Sequence, residues 1–216
     1  MMKSGLSIFP GALVLASMLL APMSRAQTEP SGTWLDDAMN WNEAGAAIPQ
    51  APEQEGSNLA ECEHTVRPAA LPEDDIVKAA GWSLTGAAQV YGDTTVIMGM
   101  ANADGMCRPL AYQVFVFTAG EFSGTLSPVP MDSRTDGSLF DLNLYNEGSL
   151  DASFNRYTPE DALCCASGQS RLFYQVETES DSPVLVPGLP ADTLRPLGLE
   201  DIPEGSPPTF PGPQLE

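Results

Sequence analysis

Between Ser83 and Glu177 the apolar residues recur at alternate positions and are broken at short intervals by turn residues. "SLTGAAQVY" and "TTVIMGM" flank Gly92-Asp93. "LAYQVFVFT" and "EFSGTLS" flank Ala119-Gly120, and "SLFDLNLY" and "SLDASFNRY" flank Asn146-Glu147-Gly148. Short glycine-containing breaks between alternating segments are hairpin signals. "QSRLFYQVE" closes the series, with Leu172, Tyr174 and Val176 alternating against Arg171, Phe173 and Gln175. In "LAYQVFVFT", Tyr112, Val114 and Val116 share one face and Gln113, Phe115 and Phe117 the other. Both faces are largely apolar, which predicts a central strand. Helical periodicity is confined to "LPEDDIVKAAGW". Pro72 fits its first turn, and Glu73, Asp74 and Asp75 complement the positive end of the dipole. Ile76, Val77 and Ala80 form its apolar stripe, and Gly81 ends it. The pattern predicts an α+β fold: an antiparallel sheet of about seven strands with one covering helix.

The flanking segments differ in kind. Residues 1–26 read as a signal peptide: Lys3 precedes the apolar "LSIFPGALVLASMLLAP", and Ser24 and Ala26 are small residues before a cut at Gln27. Pro10 and Ser17 interrupt that run, which is short of the ~20 residues of a membrane span. Residues 27–60 read as an N-terminal arm. "GTWLDDAMNWN" is expected to start a short helix capped by Thr33, followed by the irregular "AAIPQAPEQEGSN". Trp34 and Trp41 are too large to stay exposed and are expected to dock on the domain. The compact domain is assigned to residues 61–178. Residues 179–216 are dense in proline, which lacks an amide donor, and are expected to be a disordered or extended tail.

Charge narrows the range of partners. The formal net charge is −20, and removal of Lys3 and Arg25 with the signal takes it to −22. Such a surface repels nucleic-acid phosphates and anionic lipid. No later segment is long and apolar enough to span a bilayer, so a secreted protein without a transmembrane segment is expected. The acids are scattered along the chain and suit a solvated surface.

Cysteine carries the most specific chemistry. The four cysteines are Cys62, Cys107, Cys164 and Cys165. An even number in an exported chain implies two disulfides. Three pairings are open. Neighbouring side chains of an extended segment point to opposite sides, so Cys164 and Cys165 are expected to reach Cys62 and Cys107, one each. The third pairing joins Cys62 to Cys107 and closes a ring between the neighbours, away from ordinary disulfide geometry. Bridges closing long loops contribute roughly 4 kcal/mol each in the chain-entropy account. Zinc is not expected: there is no CxxC, and His64 is the single histidine. Thioredoxin-like redox chemistry lacks its CxxC for the same reason.

Catalytic parts are sparse. No G-x-S-x-G elbow occurs, and only His64 could serve as an imidazole base. Acids are plentiful, yet no pair stands out for glycoside hydrolysis. "DSRTDG" (Asp132 to Gly137) and "NADG" (Asn102 to Gly105) have partial calcium-loop spacing, but Arg134 and Met100 occupy ligand positions. Both are read as Asx-Gly turns. Arg108, Arg134, Arg156 and Arg171 are expected to pair with acids such as Asp132 and Asp161 and so to fix loops. No cofactor, metal or catalytic residue is assigned.

"DGMCRPLAYQVFVFTAGEFSGTLSPVPMDSRTDGS" followed by "RYTPEDALCCASG" resembles the LppP/LprE lipoprotein family of exported bacterial envelope proteins. "GTWLDDAMNWNEAGAAIP" is similar to the segment preceding the domain in some members, so the likeness runs over roughly residues 33–177. The resemblance implies an envelope or secreted domain without an established cofactor or active site. This chain lacks a lipobox cysteine at the signal cut, which favours a free periplasmic or extracellular protein. The expected role is a non-catalytic binding or structural module whose partner is an envelope protein or polymer. The competing expectation is a small periplasmic hydrolase using two carboxylates.

Overall fold

The computed structural model describes residues 33–36, 39–54, 56, 58–179, 181–188 and, as backbone, 191–193. The signal segment and residues 194–216 lie outside the described residues. The helix α1 spans Pro72–Ala79 and precedes β1 (Ser83–Tyr91), β2 (Thr94–Ala103), β3 (Pro109–Thr118) and β4 (Glu121–Thr125), which pair in that order. A second antiparallel sheet follows, ordered β5 (Leu139–Asn146), β6 (Ser149–Arg156), β7 (Gly168–Glu177), β8 (Val184–Pro187). The short β9 (Ala191–Thr193) pairs with β7 over Gln169–Arg171.

The expected single sheet of about seven strands is therefore two sheets. The reason lies in β3. Tyr112, Val114 and Val116 are buried on one face, and Phe115 and Phe117 on the other. Two apolar faces need two covers, and one short helix can supply only one. On the helix side, Val77, Ala80, Trp82, Leu84, Ile97, Phe115 and Phe117 form one core. The second sheet covers the other face, where Val96, Met100, Val114 and Val116 share a core with Leu150, Phe154, Leu172 and Tyr174. On the helix-facing side of β2, Gly99 leaves no room for a side chain: a Cβ there would lie 2.9 Å from Cβ of Trp82. The helix thus packs close to the sheet.

Side-chain amides join the sheets at both open edges. Gln89 on β1 donates from Nε2 to the Leu142 carbonyl (2.8 Å) and accepts from the Leu144 amide (2.9 Å), both on β5. Asn42 in the arm accepts from the Thr125 amide (2.9 Å) and donates to the Leu185 carbonyl on β8 (2.9 Å). A Cβ on Gly124 would collide with Asn42 at 2.4 Å, and Gly124 has φ +151. Edge amides and carbonyls that would otherwise face water are met by a side chain that imitates a strand.

The arm docks as expected. A 3-10 turn at Trp34–Asp36 replaces the predicted helix start, with Thr33 Oγ1 accepting from the Leu35 amide. Trp34 lies edge-on to Phe154 and to Trp41, and Trp41 Nε1 donates to the Thr125 carbonyl. The stretch assigned to a disordered tail contributes β8 and β9. Leu185 is fully buried, and β8 sits on the far side of β7, so Pro187 occupies an edge strand, where proline is tolerated.

Asp74 anchors the helix start. It is fully buried and accepts from the Ala70 and Leu71 amides and from both Arg67 Nη atoms, at 2.7 and 2.5 Å. Burial opposes its charge, but Arg67 and the two amides outweigh burial and hold the carboxyl at about 2, below its ordinary 3.8. A carboxyl depressed in the folded state stabilises above its unfolded pKa and loses that contribution as pH falls through the folded one. Stability measured by denaturant unfolding should therefore drop between about pH 4 and pH 2. Asp74→Asn should cost about 3 kcal/mol at neutral pH and flatten that part of the profile, because Arg67 loses its partner. An unchanged profile in the variant would contradict this assignment.

Candidate ligand-binding cleft

The cysteines do not pair as expected. Cys62 joins Cys107 (Cα–Cα 5.2 Å), and Cys164 joins its neighbour Cys165 (Cα–Cα 3.8 Å). The cross-linked pairings assumed an extended chain around the neighbours. Instead the segment turns twice: the Asp161 amide donates to the Thr158 carbonyl and the Cys165 amide to the Ala162 carbonyl. Adjacent side chains in a turn are not forced to opposite sides. Asp161 holds the loop from within by accepting from the Thr158 and Ser167 amides (2.8 and 2.9 Å).

The two bridges have different roles. Cys62–Cys107 ties the segment before α1 to the β2–β3 connection, across 45 positions. Asp104 shapes that connection by accepting from the Met106 and Arg108 amides and pairing with the Arg108 side chain. Cys164–Cys165 ties nothing distant. It forms an exposed, closed ring on the β6–β7 loop.

That ring lines a surface cleft of about 340 Å³, within the range of small-ligand sites. Six segments build it. β3 contributes Tyr112, the β4–β5 connection Ser133, Arg134 and Ser138, and β5 Leu139 and Phe140. β6 and β7 contribute Asn155 and Gln169, and the β6–β7 loop adds Tyr157 and Ala166 beside the cysteines. The walls stand on rigid elements. The Tyr112 and Met131 backbones exchange hydrogen bonds (2.8 and 2.7 Å), and the Asn155 amide donates to the Ser138 carbonyl. Asp136 pins the adjoining corner by accepting from the Tyr157 amide and pairing with Arg156.

Polar groups in the cleft are partly uncommitted. Tyr112 Oη accepts from the Leu139 amide at 2.7 Å, and its own proton has no acceptor among the described residues. Burial pushes this phenol up to about 12, so it stays a donor at any physiological pH. Ser138 is buried and its Oγ accepts from Asn155 Nδ2. Arg134 is exposed, takes φ +66 and makes no ion pair among the described residues. The other described arginines all pair with aspartates: Arg67 with Asp74, Arg108 with Asp104, Arg156 with Asp36 and Asp136, and Arg171 with Asp151. The partners expected for them, Asp132 and Asp161, accept backbone amides instead. Sequence reasoning grouped Arg134 with the pairing arginines. It missed Tyr112, Phe140 and Tyr157 as cleft residues, because no short-range signal brings six separate segments together.

Fold and cleft together define a small disulfide-bonded two-sheet domain with a ligand-sized depression on one end. Residues 91–179 match the LppP/LprE lipoprotein family model. The matched segment contains all of β2 to β7, every cleft residue and three of the cysteines, and it excludes Cys62 and the helix. No curated protein and no solved structure matches the chain. No helix among the described residues is long and apolar enough to cross a membrane.

The pairing predicts separable effects. Non-reducing peptide mapping should give one linked pair of peptides, through Cys62 and Cys107, and one peptide lighter by two hydrogens containing Cys164 and Cys165. Replacing Cys62 and Cys107 together by serine should cost about 2–4 kcal/mol. Replacing Cys164 and Cys165 together should cost under about 1 kcal/mol, because an adjacent pair closes no chain loop. A linked peptide joining residue 164 or 165 to residue 62 or 107 would contradict the assignment.

Proposed function

We propose that this protein is a non-catalytic, exported envelope-associated module that binds a ligand in the cleft beside Cys164–Cys165. The observation that carries the reading is the composition of the cleft wall. Hydroxyls, amides and an arginine stand against a ring disulfide and two aromatic faces, a pattern suited to holding a polar ligand with an apolar side. The lining contains no carboxylate and no imidazole, and burial keeps the Tyr112 phenol protonated, so the wall offers no strong general base. The most buried carboxylates, Asp74 and Asp151, each face an arginine, which suits anchoring and opposes acid catalysis. Envelope association follows from the family description. The four cysteines pair with one another, so none of them is available as a lipid-bearing thioether, and we read the domain as free of that tether.

The test is cosedimentation with insoluble bacterial cell-wall polymer, together with an assay for released soluble saccharide. The wild-type protein should sediment with the polymer, and Ala166→Trp, which fills the cleft, should remain in the supernatant at unchanged thermal stability. No saccharide should appear. Release that disappears on replacing one carboxylate by its amide would overturn the non-catalytic reading. Equal sedimentation of the two proteins would overturn the cleft.

A further inference from the structure

Resting on the cleft as a binding site, we propose that its ligand is an anionic sugar, with the ring lying against Cys164–Cys165 and the anionic group on Arg134. Three observations converge on this chemistry.

The first is charge. In a chain of net charge −20, a cation without an acidic partner is the exception. Arg134 lines the cleft and is such a cation among the described residues. The acids nearest in sequence are engaged elsewhere: Asp132 accepts the Ala111 amide, and Asp136 accepts the Tyr157 amide and pairs with Arg156. A planar guanidinium with free donors matches a carboxylate or phosphate in two-point fashion. Its φ of +66 is an uncommon conformation for a non-glycine residue and is held by the surrounding turn, where Thr135 Oγ1 donates to the Asp132 carbonyl.

The second is the apolar side. The exposed ring disulfide, the exposed Phe140 ring and half-buried Tyr157 offer flat, weakly polar surfaces. A pyranose has one face of C–H bonds that packs on such surfaces while its hydroxyls point around the rim.

The third is the mixed character of the polar lining. Tyr112 and Ser138 have hydroxyl protons without an acceptor among the described residues, and Asn155 adds an amide with both donor and acceptor. Sugar hydroxyls donate and accept at once and can meet both kinds of group. A fatty or aromatic acid would satisfy Arg134 but leave these buried polar atoms desolvated and unpaired, which is costly.

The experiment is ligand-observed NMR titration of the full chain with three monosaccharides: methyl glucuronide, glucose 6-phosphate and methyl glucoside. At least one anionic sugar should bind about tenfold more tightly than the neutral one, as a charged hydrogen bond warrants. The preferred one distinguishes carboxylate from phosphate. Arg134→Gln should remove the preference while weak neutral binding persists, and Arg134→Lys should restore part of it. Ala166→Trp should remove binding of all three. Equal affinity for charged and neutral sugars, a preference that survives in Arg134→Gln, or no binding of any sugar would overturn the inference. If the wild type still sediments with polymer and Ala166→Trp does not, only the ligand assignment falls. If sedimentation also ignores Ala166→Trp, the cleft itself falls with it.

Discussion

β3 is buried on both faces, and the rest of the molecule is arranged to supply its two covers. Val114 and Val116 face the second sheet, Phe115 and Phe117 face the helix, and all four are fully buried. A strand in this position cannot slip by one residue without exchanging valines for phenylalanines in both cores at once, so its register is fixed from two sides. Its neighbour β2 follows it, keeping one antiparallel register from Thr94 with Thr118 to Ala103 with Pro109. The helix, the arm and the second sheet are then placed by the surfaces that these two strands present. Tyr112, at the end of the buried stretch of β3, brings that rigidity to the cleft by accepting the Leu139 amide of β5.

Closure of the sandwich is left to polar side chains. Gln89 reaches from β1 to main-chain groups of β5, and Asn42 satisfies main-chain groups on both β4 and β8. Asn42 belongs to the arm, which is further held by Trp34 and Trp41 in the inter-sheet core and by Trp82 Nε1 donating to the Pro49 carbonyl. Cys62–Cys107 fastens the chain beyond the arm to the β2–β3 connection. The arm is therefore part of the folded unit, although it lies outside the segment that matches the family.

Local signals carried the hairpins, the helix and the central place of β3, because each is set by neighbours in sequence: Gly92 and Gly120 at their turns, Pro72 at the helix start, alternation along Tyr112–Phe117. The division into two sheets was implicit in the two apolar faces of β3, but one helix was asked to cover more surface than eight residues can. β8 was hidden because proline density obscures a strand that needs hydrogen bonds on only one side. The cysteine pairing was misread because it depended on whether residues 162–166 are extended or turned, which is decided by Asp161 and its amide partners. The cleft was invisible for a different reason. Its wall is assembled from positions between 112 and 169, and only the folded register makes Arg134 a neighbour of Cys164.

If β3 is the common wall of both cores, the two sheets must unfold together. Native-state hydrogen exchange followed residue by residue tests this most directly, since amides that open only with the whole domain share one free energy. The account predicts that Val114–Phe117 on β3 and Ala152 and Leu172 on β6 and β7 exchange with the same free energy and the same denaturant dependence. Exchange of β5 to β7 at a clearly lower free energy, with β2 and β3 still protected, would show that the second sheet is a separate appendage and would contradict it.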